Sequence, residues 1–161
     1  MREIVDDFLS KNPMNRMIQG DVGCGKTIVS ILASSIVVDN NYQVGIMAPT
    51  DLLSKQLYRN FKSQFEPIGI KCTLLVGSLK QKEKIKVLDD IKSGSSNIVI
   101  GTHALFQADV IFKDLRFAVV DEQHRFGVNQ RLELGKKGSV VDLLIMTATP
   151  IPRSLALAQY G

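Results

Sequence analysis

Short apolar runs alternate with longer stretches of helical spacing along the whole chain, and Gly, Pro, Asn or hydroxyl residues separate them. Met14 to Gln19 reads as a brief strand feeding a glycine-rich turn. Lys26 to Val38 carries Ile28, Val29, Ile31, Leu32, Ala33, Ile36 and Val37, apolar nearly all round, which predicts a helix buried at the centre of a sheet. Gln43 to Ala48 is a strand stopped by Pro49, and Thr50 is placed to cap a helix from Asp51 to Phe65 that Pro67 and Gly69 close. Lys71 to Val76 follows as a strand, Leu79 to Lys92 as a helix, and Gly94-Ser95-Ser96-Asn97 as a turn.

The second half repeats the rhythm. Ile98 to Ile100 is a strand, Ala104 to Val110 a short helix or turn, and Leu115 to Val120 a strand with Asp121 at its carboxyl end. A helical stretch follows around Asn129 to Leu134, then the strand Asp142 to Met146, then a last helix opened by Pro150 and running through Tyr160. The alternation predicts an α/β fold of three layers, a mostly parallel sheet with helices on both faces. No repeat, low-complexity tract or linker divides residues 1–161, which read as one domain. Ligands of such sheets bind outside the carboxyl ends of the strands, where Gly20, Thr50, Gly77, Gly101, Asp121 and Thr147 all fall.

Two blocks at that edge carry chemistry. Gly20-Asp21-Val22-Gly23-Cys24-Gly25-Lys26-Thr27 fits G-x-x-x-x-G-K-[ST], in which glycines let successive backbone N–H groups approach a polyphosphate. Lys26 brings a point charge to the β- and γ-phosphates, and the Thr27 hydroxyl is placed to ligate Mg²⁺. The helix that follows adds its first N–H groups and its dipole. Cys24 reads as small filler, since the loop needs only its backbone N–H. The second block is Asp121-Glu122-Gln123-His124. Asp121-Glu122 alone would pass for a solvated pair. After the apolar Phe117-Ala118-Val119-Val120 it supplies a metal ligand, Asp121, and a base for water, Glu122.

Pro49-Thr50, Gly77-Ser78 and Gly101-Thr102-His103 are hydroxyl-bearing turns at strand ends. Each alone reads as a helix cap; three on one edge favour contact with a nucleic-acid backbone. Thr147-Ala148-Thr149 ends the last strand, with Thr149 placed to cap the helix at Pro150. Lys80, Lys82, Lys84 and Lys86 read as a solvated helix face. A formal charge of +4 permits a polyanionic partner without demanding one. Two cysteines are too few for a disulfide framework or a zinc site. The start of the chain resembles no signal peptide, and no apolar stretch is long enough for a bilayer, so a cytoplasmic protein with no membrane partner is expected.

With these blocks aligned, the chain resembles the first motor lobe of the superfamily 2 helicases, and among them most of all the RecG-like, branch-migrating DNA helicases. The residues carrying the resemblance are Gln19 through Thr27, Met47-Ala48-Pro49-Thr50, Gly77-Ser78-Leu79-Lys80 and Gly101-Thr102-His103-Ala104-Leu105-Phe106-Gln107. More specific still are Asp121-Glu122-Gln123-His124-Arg125-Phe126-Gly127 and Thr147-Ala148-Thr149-Pro150-Ile151-Pro152-Arg153. The transcription-repair coupling translocases share these motifs, although a different residue would be expected there at His124.

The resemblance implies a RecA-like lobe over 1–161, ATP and Mg²⁺ as cofactors, and DNA, branched or duplex, as partner. It implies that Lys26 and Thr27 hold phosphates and metal, Asp121 the metal and Glu122 the attacking water. Gln123 and His124 would sense the γ-phosphate and relay its state through Thr147 and Thr149. Pro49, Thr50, Gly77, Ser78, Gly101, Thr102 and His103 would line the DNA strand. Such motors hydrolyse ATP between two lobes, the second supplying an arginine finger. Neither that lobe, nor a DNA-wedging domain, nor an adenine-reading glutamine upstream of the loop is found in the 161 residues. The lobe alone is therefore expected to bind nucleotide and hydrolyse it poorly. A nucleotide- and DNA-binding module without turnover is the alternative. A small-molecule kinase fits less well, because no Arg-rich lid segment is seen.

Overall fold

The structure, a computed structural model, describes residues 1–21, 23–121 and 140–148. The helices expected around Asn129 to Leu134 and from Pro150 lie outside these residues, as do Val22, Glu122, Gln123, His124 and Thr149. Six strands, β1 (Asn15–Gln19), β2 (Gln43–Met47), β3 (Cys72–Leu75), β4 (Ile98–Gly101), β5 (Leu115–Asp121) and β6 (Asp142–Thr147), form one sheet in the order β1-β6-β5-β2-β4-β3. Every neighbouring pair runs parallel, so all six carboxyl ends share one edge. The alternation of strands and helices predicts this α/β architecture; it leaves the strand order open.

Side chains along a strand point to opposite faces, and the core divides accordingly. Val44, Ile46, Phe117, Val119, Leu144 and Met146 face one way, under α1 (Arg2–Phe8), α2 (Lys26–Asp39) and α3 (Asp51–Phe65). Met47, Val99, Ala118, Val120 and Ile145 face the other way, under Ile91 of α4 (Gln81–Ser93) and the loop residues Leu105, Val110 and Phe112. Because both faces are covered, the strands read as continuous apolar runs rather than alternating ones.

Helix α3 matches its expected bounds. Thr50 Oγ1 accepts from Leu53 N at 3.3 Å, and Ser54 Oγ donates to the Thr50 carbonyl at 3.0 Å. Leu57, Phe61 and Phe65 repeat every four residues and are buried, with the two phenyl rings stacked at 5.8 Å. Helix α4 starts two residues later than expected, where the Glu83 carboxylate accepts from Lys80 N at 3.2 Å.

One expectation needs correction, and one element was not foreseen. Helix α2 is not buried all round: Ile28 is 59% and Leu32 46% exposed. It packs through one face, where Ser30, Ala33 and Ser34 are small enough to bring the helix close to the sheet. Helix α1 has no counterpart in the pattern reading, because seven residues are too few for a period to register. It is held by tertiary contacts instead. Ile4 is buried, Phe8 meets Phe117 edge-on at 5.4 Å, and Glu3 and Asp7 both pair with Arg16 of β1.

Candidate nucleotide-binding site

The phosphate-loop sequence leaves the end of β1 and enters α2. Gly20 N donates to the Thr147 carbonyl at 3.1 Å, which anchors the loop to the end of β6. Cys24 N donates to the Asp21 carbonyl at 3.2 Å and closes a turn. Gly25, immediately before α2, has a φ of 91°, a backbone that side-chain-bearing residues rarely adopt. The first N–H groups of a helix have no intrahelical acceptor, so the loop and α2 present donors to the same space. Lys26 Nζ donates to the carbonyls of Gly20 and, at 2.8 Å, Asp21. The ammonium is thus held across its own loop.

Asp121 is the last residue of β5, paired with Met146 of β6. Only β6 separates β5 from β1, so residues distant in sequence become neighbours. Lys26, Thr27 and Asp121 line one cavity of about 440 Å³, together with Gly23, Gly25 and Ala148. A hydroxyl and a carboxylate are hard oxygen donors and suit Mg²⁺, which keeps several waters and shares its shell with phosphate oxygens. Among the described residues no cluster of three or more His, Cys, Asp or Glu offers an all-protein cage.

The cavity has a second wall that the motif reading missed. Leu53, Gln56, Leu57 and Asn60 of α3 line it. In the sequence the two leucines belong to the core stripe of α3 and the two amides to its polar side, and nothing singles them out until α3 is placed beside the loop.

The expected DNA-contacting turns also lie at the carboxyl edge, and burial sorts them. Thr50, Gly77, Ser78 and His103 are exposed and Pro49 is half-buried. Thr102 is only 6% exposed, and its carbonyl accepts from Leu105 N at 2.9 Å to start a 3-10 turn. Gly101 is buried within β4, and a Cβ there would stand 2.3 Å from the Leu75 carbonyl oxygen. Its lack of a side chain lets β3 and β4 close. Thr147 is buried at the end of β6. On α4, Lys82 and Lys86 are exposed and Lys84 lies 3.4 Å from Asp109, as a solvated face would. Cys24 is exposed, whereas Cys72 is buried, and desolvation pushes its thiol up to about 12.

Comparison with known proteins follows the same lines. The DEAD/DEAH box helicase family matches residues 2–157. The chain is 50% identical over 99% of its length to the ATP-dependent DNA helicase RecG of Borreliella burgdorferi, covering 23% of that protein. It is 49% identical over 99% of its length to the RecG of Thermotoga maritima, covering 20% of it. It spans about a quarter or less of the relatives it matches. A solved structure of RecG bound to a three-way DNA junction superimposes with a TM-score of 0.83 at 45% identity, covering 99% of this chain and 21% of that one. The Pyrococcus furiosus Hef helicase domain shares the fold, with a TM-score of 0.68 at 20% identity, over 93% of this chain and 33% of that one. The chain belongs to the DEAD/DEAH box helicase family.

Proposed function

We propose that the chain is the ATP-binding motor lobe of an ATP-dependent DNA helicase of the RecG type, working with a second RecA-like lobe on branched DNA in recombination and repair. The observation that carries this reading is the meeting of Lys26, Thr27 and Asp121 in one cavity at the sheet edge. Lys26 exchanges its loop carbonyls for phosphate oxygens, and the loop and α2 N–H groups hold the remaining phosphate charge. Thr27 and Asp121 hold Mg²⁺, which when bound neutralises charge on the triphosphate. Glu122, next to Asp121, orients and deprotonates the attacking water, and Gln123 and His124 sense the γ-phosphate. The backbone hydrogen bond from Gly20 N to the Thr147 carbonyl gives the loop a physical link to the Thr147-Ala148-Thr149 segment, which relays nucleotide state to the DNA edge.

DNA enters through the relatives named RecG and the RecG structure with a three-way junction. Thr50, Gly77, Ser78 and His103 then touch the phosphate backbone from the exposed edge, with Pro49, Gly101 and Thr102 shaping the surface behind them. Among the described residues no helix is long and apolar enough to cross a membrane, and the proposed work on DNA places the protein in the cytoplasm.

Equilibrium titration with a fluorescent ATP analogue tests the site: the parent chain binds it with Mg²⁺, and Lys26→Ala binds it on the order of 10²-fold more weakly. An arginine finger is worth on the order of 10³–10⁵ in rate, so the 161-residue chain alone hydrolyses ATP very slowly. Brisk DNA-stimulated turnover by this chain would overturn the two-lobe reading.

A further inference from the structure

We propose that Gln56 and Asn60 of α3 are positioning residues of the nucleotide site, holding the water shell of the divalent cation through their side-chain amides. This rests on the metal–triphosphate reading above and extends it to a helix outside the phosphate loop.

Three observations converge. First, Gln56 and Asn60 stand one helical turn apart on the stripe of α3 that lines the cavity shared by Lys26, Thr27 and Asp121. The two leucines of that stripe pack on the core, Leu57 buried and Leu53 half-buried, whereas both amides are exposed. Second, the strand order gives them a side. The loop leaves β1, Asp121 ends β5, and α3 follows β2, the strand beyond β5. The amides therefore approach Asp121 from the side away from the loop. Third, α3 is a firm support: it is capped by Thr50 and held by the buried Phe61 and Phe65.

The chemistry fits. With two protein oxygens and phosphate oxygens around it, Mg²⁺ retains water ligands. A metal-bound water donates hydrogen bonds, so its partner must accept, as an amide oxygen does. The amide NH₂ remains to donate to a phosphate oxygen. Being neutral, the pair orders the shell without altering the charge set by Lys26 and Asp121. Partners of this kind are typically worth 10–100-fold in metal affinity.

The test is a Mg²⁺ titration of fluorescent ATP-analogue binding to the 161-residue chain, read by equilibrium anisotropy. Gln56→Leu, Asn60→Leu and the double variant are compared with the parent and with Lys26→Ala, and thermal melting verifies folding of each. The expected result is a 10–100-fold rise in the Mg²⁺ concentration giving half-maximal binding for the double variant, with affinity at saturating Mg²⁺ within about threefold of the parent. Asn60→Gln, which keeps a neutral amide acceptor, should leave the midpoint closer to the parent than Asn60→Leu does when Gln56 is in place. An unchanged midpoint in the folded variants overturns the proposal while leaving the site intact, provided Lys26→Ala still loses the nucleotide. Equal loss with and without Mg²⁺ also overturns it, since that is general damage to the cavity. If Lys26→Ala binds like the parent, the nucleotide reading itself fails and this proposal goes with it.

Discussion

The two edges of the sheet are built on opposite terms. At the amino edge, polar groups are consumed internally. Gln43 is 3% exposed, its amide nitrogen donates to the carbonyls of Ile91 and Ser96 at 2.9 and 2.8 Å, and its amide oxygen accepts from Lys113 N and Asp114 N. Thr73 and Ser96 share a 2.6 Å hydroxyl contact nearby, and Asp142 accepts from Met14 N at 2.6 Å. At the carboxyl edge, Gly23 and Gly25 of the loop take positive φ, α2 begins with N–H groups that need acceptors, and Lys26 leans on its own loop. One edge closes the fold; the other holds donors and charges ready for an anion. Stability and function are therefore separable by mutation in this lobe, which puts the comparison at risk in four ways.

The largest contrast is chemical access. Cys24 is exposed in the loop, whereas Cys72 opens β3 in the core, where desolvation pushes its thiol up to about 12 and keeps it in the unreactive neutral form. An alkylating reagent should modify Cys24 while Cys72 stays unmodified in the folded chain, as read by peptide mass spectrometry. Comparable rates would mean the core opens readily.

Next comes Gln43→Ala. It leaves the Ser96 carbonyl and the N–H groups of Lys113 and Asp114 without this partner, while the Ile91 carbonyl keeps its bond from Gly94 N, at a cost of about 3 kcal/mol in denaturant unfolding. Nucleotide affinity of the fraction that stays folded should be unchanged. A variant with parental stability would remove the keystone role assigned to this residue.

Lys26→Ala is the mirror case. Loss of charge-assisted bonds should weaken ATP-analogue binding on the order of 10²-fold, while the melting temperature stays within a few degrees of the parent. A large drop in melting temperature would show that the loop, too, is part of the structural frame.

The smallest effect belongs to Asp142. Desolvation raises its carboxyl above the ordinary value of 3.8, against the Met14 N–H bond and the charge of Arg116, which pull it down. A raised carboxyl favours the fold fully below pH 3.8, and that contribution is lost as pH rises through the folded value. Asp142→Asn keeps an acceptor for Met14 N without the buried charge. It should be slightly more stable than the parent at pH 7 and no more stable at pH 3. A gain that persists at pH 3 would point to packing rather than charge.

Much of this was legible in the residues because local rules decided it. Pro49 and Thr50 set the start of α3, Pro67 and Gly69 its end, and the observed Asp51–Phe65 follows. Asp121 fell at a strand end because the apolar run before it stops there. Elsewhere the pattern misled or fell silent. The apolar circumference of α2 suggested full burial, yet burial depends on what packs outside the helix, which no period encodes. Gly101 and Thr102 read as exposed turn residues, whereas both are buried, Gly101 against the Leu75 carbonyl of β3. Gln56 and Asn60 looked like the polar side of an amphipathic helix.

The one-dimensional chain thus determined which residues could bind a metal–triphosphate, because backbone freedom at glycine, a lysine charge, a hydroxyl and a carboxylate are properties of the residues themselves. Only the tertiary structure decided that they meet. The order β1-β6-β5-β2 sets Asp121 one strand away from the loop and brings α3 to the far side of the cavity. That order comes from burying two apolar faces under helices at once, a condition on the whole sheet that no single segment carries.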